Sequence, residues 1–572
     1  MPERLPWEGS LGATPLDDGT VRYAVWAPTP RVVEVRARGR TTRLEPIGGG
    51  MHEAVAPGAP GDDYVYLLDG RPFPDPCSRH QPRGVRGPSR VLDRAAARWT
   101  DADWRGVPLG DLVVYELHVG TFTPEGTFDA AIPRLPELAG LGVTAVDLMP
   151  VATFPGERNW GYDGLYTWAP HAAYGGPEGL DRLVDAAHGA GLAVHLDVVY
   201  NHLGPGADAL EAFGPYRTER YTTDWGPALN YDGPDSGPVR EWAIQNAEMW
   251  VREHHVDGFR LDAIHAIDDS GARHVVAELA ARVHRLRPSA LVIAESGLND
   301  PRVVRPEALG GWGCDAQWAD DFHHALHSVL TGERDGYYVD YGRVADLARC
   351  LRRPYRHAGD YSAFRRRRHG APADDRPVTQ FVVFAQNHDQ VGNRARGDRP
   401  PSYTRRLAAF CVTLSPFLPL LFMGEEYGEE RPFMFFTGHI DPRVAEATRE
   451  GRRREFATFA AFAGEVPDPQ DPATFQGSKL HPEGGDPAMR VLYGDLLRLR
   501  RRLGAVEADP RGDESERTLH VRRGEVELAM NFSDRERVVE VTGRAILLAT
   551  HEGVALRREA VLLPPWSAAA VA

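Results

Sequence analysis

The chain has few cysteines and almost no lysine. Its four cysteines lie far apart and form no CxxC pair, so we expect neither a disulfide framework nor a zinc site. Lys479 is the only lysine among the 66 basic residues, and the arginines are spread along the whole chain. The net charge of −15 argues against nucleic-acid binding, which depends on neutralising phosphates.

Long apolar segments are also missing. No apolar run reaches the length of about 18 residues that a membrane-spanning helix needs, and the first ten residues, MPERLPWEGS, contain no apolar leader-like region. Because the thiols are expected to be reduced, we predict a cytoplasmic protein with neither a membrane nor a nucleic-acid partner. The length of 572 residues predicts two to four domains.

Both ends of the chain alternate apolar and polar residues, as half-buried strands do. TVRYAVWAP and RVVEVRARG show this alternation near the N-terminus, and TLHVRRGEVELAMNF shows it near the C-terminus. We therefore predict a β-sandwich over residues 1–105, and a linking helix followed by a second β-sandwich over residues 491–572.

Eight short apolar runs alternate with helix-like segments across the middle of the chain. The runs cover residues 112–122, 143–151, 192–202, 257–267, 291–297, 314–322, 378–389 and 417–428. Continuous apolar strands are typical of parallel sheets covered on both faces, and eight of them separated by helices predict an α/β fold, a (β/α)8 TIM barrel. We assign this barrel to residues 106–490, with an insertion at about 203–238 after the third run.

Three carboxylates follow apolar runs at positions that a barrel would bring together. Asp262 ends the fourth run, Glu295 the fifth and Asp389 the seventh. The carboxyl ends of barrel strands share one face, and two carboxyls about 5 Å apart can act as nucleophile and acid in retaining glycoside cleavage. Arg260 would lie on the same side of its strand as Asp262, and we expect it to keep that carboxylate ionised.

Each of these residues also has a simpler interpretation. A single Asp at a strand end is more often a helix cap or a surface ion pair, and Arg260 with Asp262 could be a structural ion pair. The Asp, Glu and His residues could hold a metal, although His-x-His and HExxH spacings are missing. The occurrence of several polar motifs at strand ends of one barrel favours a catalytic site.

Four segments, in order, resemble the signature segments of the α-amylase family, glycoside hydrolase family 13: DVVYNH, GFRLDAIHAI, IAES and QNHDQ. The resemblance implies that Asp262 is the nucleophile, Glu295 the acid/base and Asp389 the transition-state stabiliser. It also implies a set of side chains lining the site of the attacked sugar ring: Asp197, His202, Arg260 and His388, with Tyr162 as the stacking platform.

Longer segments are similar to one branch of that family, the maltooligosyltrehalose trehalohydrolases. NWGYDGLYTWAP, DAQWADDFHHALH and PLLFMGEEYGEERPF carry this similarity. It implies hydrolysis of the α-1,4 bond next to the terminal trehalose unit of maltooligosyltrehalose, without a cofactor, on a substrate made by maltooligosyltrehalose synthase. Further candidates for sugar contact are Trp160, His265, Asp320, Asp321, His324 and Glu425.

Other activities stay open at this point. A glycogen-branching or debranching enzyme or an α-amylase would share the four segments, and a non-catalytic glucan-binding protein would share the fold. Glu425 and Glu426 could instead cap a helix. In amylases the Asn at the position of Asn201 often ligates calcium, but the sequence offers no clear set of further oxygen ligands, so we expect no metal.

Overall fold

A closed barrel of eight parallel strands forms the centre of the computed structural model, which describes residues 4–457 and 466–572. Each predicted run contributes one strand. In chain order, barrel strands 1 to 8 are Val114–Leu117, Ala145–Leu148, Ala193–Val198, Gly258–Leu261, Leu291–Ala294, Ala316–Trp318, Phe381–Phe384 and Leu418–Phe422. Neighbouring strands pair in parallel, and strand 8 pairs with strand 1, so the predicted (β/α)8 fold is confirmed.

All residues of the barrel strands are buried, which explains why the runs are apolar throughout and do not alternate. Inward-facing side chains of the other strands, such as Ile293 and Phe384, form a separate apolar cluster. Strand 4 contributes no apolar side chain to it, and the guanidinium of Arg260 lies 4.5 Å from the centre of the Trp318 ring instead. One strand therefore presents a cation to the inside of the barrel.

Helices connect the strands and cover the barrel. In Gly176–Gly189 the buried residues Leu180, Leu183, Val184 and Ala187 recur at helical spacing, which gives the helix one apolar face. The α-helices of the described residues are Val119–Phe122, Phe128–Ala131, Leu135–Leu141, Gly176–Gly189, Asp208–Glu211, Ser236–Glu253, Val275–Leu286, Asp320–Thr331, Val344–Arg352, His388–Gly392, Ser402–Thr413, Pro442–Ala457, Pro472–Gly477 and Pro487–Leu503. Within that part of the chain, no helix is both long and apolar enough to cross a membrane.

Two antiparallel sheets lie at the N-terminal end. Their side chains meet where the rings of Tyr23 and Tyr64, one from each sheet, lie 5.2 Å apart, so the sheets form a sandwich. The strands of the first sheet are Gly12–Pro15, Thr20–Trp26, Met51–Pro57 and Glu45–Gly48. Those of the second are Arg40–Arg43, Val33–Ala37, Asp63–Leu68 and Arg71–Phe73, with Ser89–Arg90 paired to Asp63–Leu68.

Two further sheets lie at the C-terminal end and share a buried cluster that includes Ala529 and Val561. Their strands are, in sheet order, Asp509–Asp513, Thr518–Arg523, Val526–Asn531, Ala568–Val571 and Ile546–Ala549, and then Arg537–Glu540, Ala560–Leu563 and Ala555–Arg557.

The domain boundaries at 105 and 490 stay predictions. Helix Pro487–Leu503 spans the second boundary, and positions 458–465 of the predicted barrel domain lie outside the described residues.

Short hairpins extend the loops that follow the barrel strands. The insertion after strand 3 contains the hairpin Arg217–Thr223 with Gly226–Leu229. Two more pairs are Ala152–Thr153 with Tyr166–Pro170, and Asp360–Ser362 with Arg367–His369. The first two hairpins follow the carboxyl ends of strands 3 and 2, the face on which barrel active sites form. The third lies late in the connection from strand 6 to strand 7, and its Phe364 and Arg365 line the cleft.

Candidate active site

A cleft of about 630 Å³ opens at the carboxyl ends of the barrel strands. Asp262 follows strand 4, Glu295 strand 5, Asp320 strand 6 and Asp389 strand 7, and all four carboxyl groups line the cleft. The barrel therefore brings together the three carboxylates that the sequence marked as catalytic, with a fourth beside them.

Both carboxylate oxygens of Asp262 are held by hydrogen bonds. Arg260 Nη1 donates to Oδ1 at 2.6 Å, and Asn201 Nδ2 donates to Oδ2 at 2.6 Å. Asn201 lies just beyond strand 3, so two neighbouring strands orient this side chain. Charge-assisted bonds of this length stabilise the ionised carboxylate and fix its direction, as a nucleophile requires.

Glu295 is held through one oxygen only. Its Oε2 accepts hydrogen bonds from Arg260 Nη2 and from the main-chain N of Ala263, both at 2.7 Å. Burial raises the pKa of Glu295 to about 8, and the nearby charges of Asp262 and Asp389 add to the shift, while Arg260 opposes it. The carboxyl group is therefore protonated near neutral pH, as a general acid must be.

Asp389 has the opposite electrostatic environment. His388 Nε2 lies 3.3 Å from Oδ2, Arg260 Nη2 lies 4.0 Å from the same oxygen, and Asn393 Nδ2 donates to Oδ1 at 3.0 Å. Burial opposes ionisation, but His388, Arg260 and Asn393 outweigh it and hold the pKa of Asp389 at about 2. A permanent anion thus lies beside a protonated acid in one cleft.

The sequence had suggested that Arg260 interacts with Asp262, but in the structure Arg260 has further carboxylate partners. Its guanidinium bonds to Asp262, to Glu295 and, through Nη1 at 2.7 Å, to Asp197. An arginine that contacts both Asp262 and Glu295 cannot by itself make one ionised and the other protonated. Burial and neighbouring negative charges therefore decide the protonation of Glu295.

Asp197 and Arg260 lie beneath the cleft, which corrects the expectation that they line it. Asp197 is 4% exposed and Arg260 is fully buried. Burial raises the pKa of Asp197 to about 7 although Arg260 opposes the shift. The two side chains support the residues that do reach the cleft, since Tyr162 donates its hydroxyl to Asp197 Oδ2 at 2.6 Å.

Tyr162 and His388 form a joined pair in the wall of the cleft. The His388 Nε2 lies 2.7 Å from the Tyr162 hydroxyl, and the two rings stack with centroids 5.1 Å apart. Because the hydroxyl donates to Asp197, it accepts from His388, so His388 Nε2 carries a proton. Tyr162 lines the cleft, and its role as a stacking platform stays a prediction.

Glu116 is a buried partner of His388 that the sequence motifs did not reveal. Its Oε1 lies 2.6 Å from His388 Nδ1, and its Oε2 accepts from His388 N at 2.8 Å. Burial opposes protonation of the imidazole, but Asp389 and Glu116 outweigh it and raise the pKa of His388 well above its usual value. The available signal was one acidic residue inside the apolar run LVVYELHV.

The remaining predicted contact residues divide into two groups. Five line the cleft: Trp160, His202, His265, Asp320 and His324. Burial, with Asp389 and Asp321 nearby, raises the pKa of Asp320 to about 7. The structure does not bring Asp321 and Glu425 to the cleft.

Asp321 and Glu425 instead hold loops together. Asp321 accepts hydrogen bonds from Asn299 Nδ2 at 2.9 Å and from the Tyr341 hydroxyl at 2.6 Å. Glu425 accepts from Phe422 N at 2.7 Å and from the Tyr493 hydroxyl at 3.1 Å. Their carboxylate oxygens are therefore engaged within the protein and not directed at a sugar.

Several cleft residues carried no motif in the sequence. Trp225, in the insertion after strand 3, is 51% exposed, and its ring stacks on His202 with centroids 4.8 Å apart. Others come from the connections after strands 3, 5, 6, 7 and 8: Asp224, Gly297, Tyr337, Phe364, Arg365, Asn393 and Phe435. The only signal for Trp225 was its place in a long insertion, which contains other aromatic residues as well.

The residues around Asn201 do not fit a calcium site. Asn201 Nδ2 donates to both the main-chain and side-chain oxygens of Asp262, and its Oδ1 pairs with His202 Nδ1. The amide oxygen is therefore already used. Across the described part of the chain, no group of three or more His, Cys, Asp and Glu side chains is arranged to hold a metal ion.

Comparisons with known proteins agree with this architecture. The family described as "Alpha amylase, catalytic domain" matches residues 95–226, and "Domain of unknown function (DUF3459)" matches residues 490–570. A malto-oligosyltrehalose trehalohydrolase of Rhizobium sp. (strain M-11) is 46% identical, with 96% of this chain and 97% of the relative covered. Another from Arthrobacter ramosus is 50% identical over 84% of this chain and 87% of the relative.

A solved structure is similar over the whole chain. It is a protein of Salmonella typhimurium, provisionally called an α amylase, and it superposes with a TM-score of 0.91 at 37% sequence identity. The match covers 98% of this chain and 99% of the other. The sandwich, the barrel and the C-terminal sheets therefore recur together in a known structure.

Proposed function

Because the chain belongs to the malto-oligosyltrehalose trehalohydrolases of the α-amylase family, we propose that it hydrolyses the α-1,4-glucosidic bond next to the terminal trehalose unit of maltooligosyltrehalose. The products are trehalose and a maltooligosaccharide. The observation that carries the proposal is the set of three carboxylates around Arg260, of which Glu295 is protonated and Asp389 ionised near neutral pH.

In the first step Asp262 attacks the anomeric carbon of the sugar on the non-trehalose side of the bond. Glu295 gives its proton to the glycosidic oxygen, and the electron pair of the breaking C1–O bond goes to that oxygen, so trehalose leaves. The product of this step is a glycosyl ester of Asp262. Arg260 and Asn201 aim the attacking carboxylate.

In the second step a water molecule attacks the anomeric carbon of the ester. The Glu295 carboxylate takes a proton from that water, and Asp262 leaves with the electron pair of its bond to carbon. Two inversions retain the configuration. Through both steps the anion of Asp389 stabilises the positive charge that develops on the ring, which supports its role as the stabiliser.

The cleft wall supports binding of a glucan chain. The aromatic faces of Tyr162, Trp160 and Trp225 line it, and sugar rings pack their apolar faces on such surfaces. His202, His265, His324 and Asp320 offer polar atoms for hydroxyl groups. We propose that these residues contact the substrate. Asp197, Arg260 and Glu116 lie beneath the cleft and hold the cleft residues in place.

The decisive experiment compares two substrates. Maltotriosyltrehalose should yield one trehalose for each new reducing end, while starch should yield little reducing sugar. Rapid release of reducing sugar from starch would instead identify an α-amylase or debranching activity, and new α-1,6 bonds without reducing ends a branching enzyme. No reaction with either substrate would contradict the proposal, and retained binding of maltooligosaccharides in that case would indicate a glucan-binding protein.

We also propose a cytoplasmic location and a supplying enzyme. All four cysteines are buried free thiols, which is typical of proteins in a reducing compartment. A maltooligosyltrehalose synthase would provide the substrate, because the proposed reaction needs a glucan that already ends in trehalose.

A further inference from the structure

The residue after the proposed nucleophile has a backbone conformation that alanine rarely adopts. Ala263 has φ of 38° and ψ of 50°, in the left-handed region, where the Cβ atom crowds the following carbonyl oxygen. Ala263 is buried and belongs to the lining of the cleft. Residues in such conformations persist only where the surrounding structure holds them, and they cluster at functional sites.

This conformation directs the Ala263 amide at the side chain of Glu295. The main-chain N of Ala263 donates to Oε2 at 2.7 Å, and the next amide, Ile264 N, donates to the main-chain oxygen of Glu295 at 3.0 Å. Arg260 Nη2 is the second donor to Oε2. A carboxyl oxygen has two lone pairs, so both lone pairs of Oε2 are occupied.

The other oxygen of Glu295 is free for chemistry. Among the described residues, the structure gives Oε1 no hydrogen-bond partner, while the side chain lines the cleft beside Asp262. In a protonated carboxyl group, an oxygen that accepts two hydrogen bonds acts as the carbonyl oxygen. The proton then has to be on the opposite oxygen.

We propose that Ala263 is a positioning residue, whose left-handed backbone aims its amide at Glu295 Oε2 and so places the catalytic proton on Oε1. The inference rests on the proposed function. In the first step the proton of Oε1 passes to the leaving oxygen of trehalose as the C1–O bond breaks and the bond from Asp262 to C1 forms. In the second step Oε1 takes the proton of the attacking water, and Oε2 keeps both donors throughout.

An amide-to-ester replacement at position 263 tests this directly. Incorporation of L-lactic acid in place of Ala263 in the full-length chain keeps the methyl group and exchanges the N–H donor for an oxygen. Two substrates are compared: maltotriosyltrehalose, whose leaving oxygen needs a proton, and α-maltotriosyl fluoride, whose fluoride leaves without one. The ratio of their kcat/KM values reports on acid catalysis and not on general damage.

We expect a selective loss. The kcat/KM for maltotriosyltrehalose should fall about tenfold to a hundredfold, as for loss of one hydrogen bond to a charged group, while that for the fluoride stays nearly the same. The alkaline limb of the pH profile should move to higher pH, because a donor that favours the ionised carboxylate has been lost.

The matched control is the same ester replacement at Ile264. It removes the hydrogen bond to the main-chain oxygen of Glu295 and leaves both donors to Oε2, so the substrate ratio should not change. If the ester at position 263 abolishes even fluoride hydrolysis, Ala263→Val is measured in the same way. That variant keeps the N–H but disfavours a positive φ further, and the same selective loss is expected.

Two results would overturn the inference. In the first, neither the ester at position 263 nor Ala263→Val changes the ratio of kcat/KM for the two substrates. In the second, the ester at Ile264 changes that ratio as much as the ester at position 263 does. Failure of the proposed function is recognised separately. In that case the unmodified protein itself hydrolyses the fluoride but releases no trehalose from maltotriosyltrehalose.

Discussion

Arg260 donates to Glu295 through Nη2 at 2.7 Å, while its Nη1 lies 2.6 Å from Asp262. One cation therefore contacts two carboxyl groups that must differ in protonation for a retaining mechanism. Asp262 has both oxygens held by side-chain donors, whereas Glu295 is bound at one oxygen and its pKa is raised mainly by burial. The asymmetry lies in the surroundings of the pair and not in Arg260.

Arg260→Lys should separate charge from geometry. Lysine keeps the positive charge, but its single ammonium group cannot bind three carboxylates in a fork. We expect kcat/KM for maltotriosyltrehalose to fall at least about a hundredfold. The alkaline limb should move little, because lysine retains the positive charge through which Arg260 lowers the pKa of Glu295.

Arg240→Lys is the control for that change. Arg240 also bridges two carboxylates, Asp269 at 2.6 Å and Glu278 at 2.8 Å, and it lies outside the cleft. Its replacement should leave kcat/KM nearly unchanged. Equal losses in the two variants would contradict a specific role for Arg260.

The pH dependence of the reaction should follow Glu295. The active form carries the proton, so kcat/KM should decline as pH rises through about 8. Glu295→Gln should lower kcat by a factor of about 100 to 10,000, because general acid–base catalysis contributes that much. Glu278→Gln, outside the cleft, is the control, and circular dichroism checks the fold of both. A Glu295→Gln variant with wild-type kcat would refute the assignment.

Glu116→Gln should lower kcat/KM, because it removes a buried partner of His388. Loss of the carboxylate removes one of the two groups that raise the pKa of His388, so a neutral imidazole forms at lower pH and no longer supports Asp389. We expect kcat/KM to fall about tenfold and its alkaline limb to move to lower pH.

Asp147→Asn provides the comparison for Glu116. Asp147 is the neighbour of Glu116 in the pairing of strands 1 and 2, and burial, with Asp197 and Glu116 nearby, raises its pKa well above the usual value. The carboxyl group is therefore neutral, and asparagine resembles it in shape. The pH profile of this variant should match the wild type. If the alkaline limb moved to lower pH equally in Glu116→Gln and Asp147→Asn, the effect would come from the barrel core in general and not from Glu116.

Trp225→Ala should weaken substrate binding more than catalysis. The ring is half exposed in the cleft and stacked on His202, and among the described residues Trp225 makes no hydrogen bond to the three carboxylates. We expect KM to rise about fivefold, with kcat changed much less, since an aromatic face contributes about 1 kcal/mol to packing. Trp312→Ala removes a similar stack, on His274 at 4.0 Å, away from the cleft, and should leave KM unchanged. An unaltered KM in Trp225→Ala would exclude the sugar contact.

Glu425→Gln should have little effect on the reaction. Glu425 is buried, bonded to Phe422 N and the Tyr493 hydroxyl, and burial raises its pKa to about 7. Because a glutamine has the shape of the neutral acid, both KM and kcat for maltotriosyltrehalose should stay close to the wild-type values. A marked rise in KM would restore Glu425 as a substrate contact.

The local pattern of residues was enough to predict the barrel. Each of the eight runs is apolar because its strand is covered on both faces, and that requirement is visible in the linear order of residues. The strand ends likewise marked Asp262, Glu295 and Asp389, because each follows a buried run directly. Side-chain depth was not visible in the same way, so Asp197 and Arg260 were expected in the cleft and lie beneath it.

By itself, then, the sequence determined which carboxylates could meet, since strand order and the common face of a parallel barrel follow from spacing alone. Only the tertiary structure decided their chemical states and supports. The pKa of Glu295 depends on burial and on charges from distant segments, and the bond from Glu116 to His388 joins residues 272 positions apart. Such through-space effects depend on distances of a few ångström, which no local pattern of residues specifies.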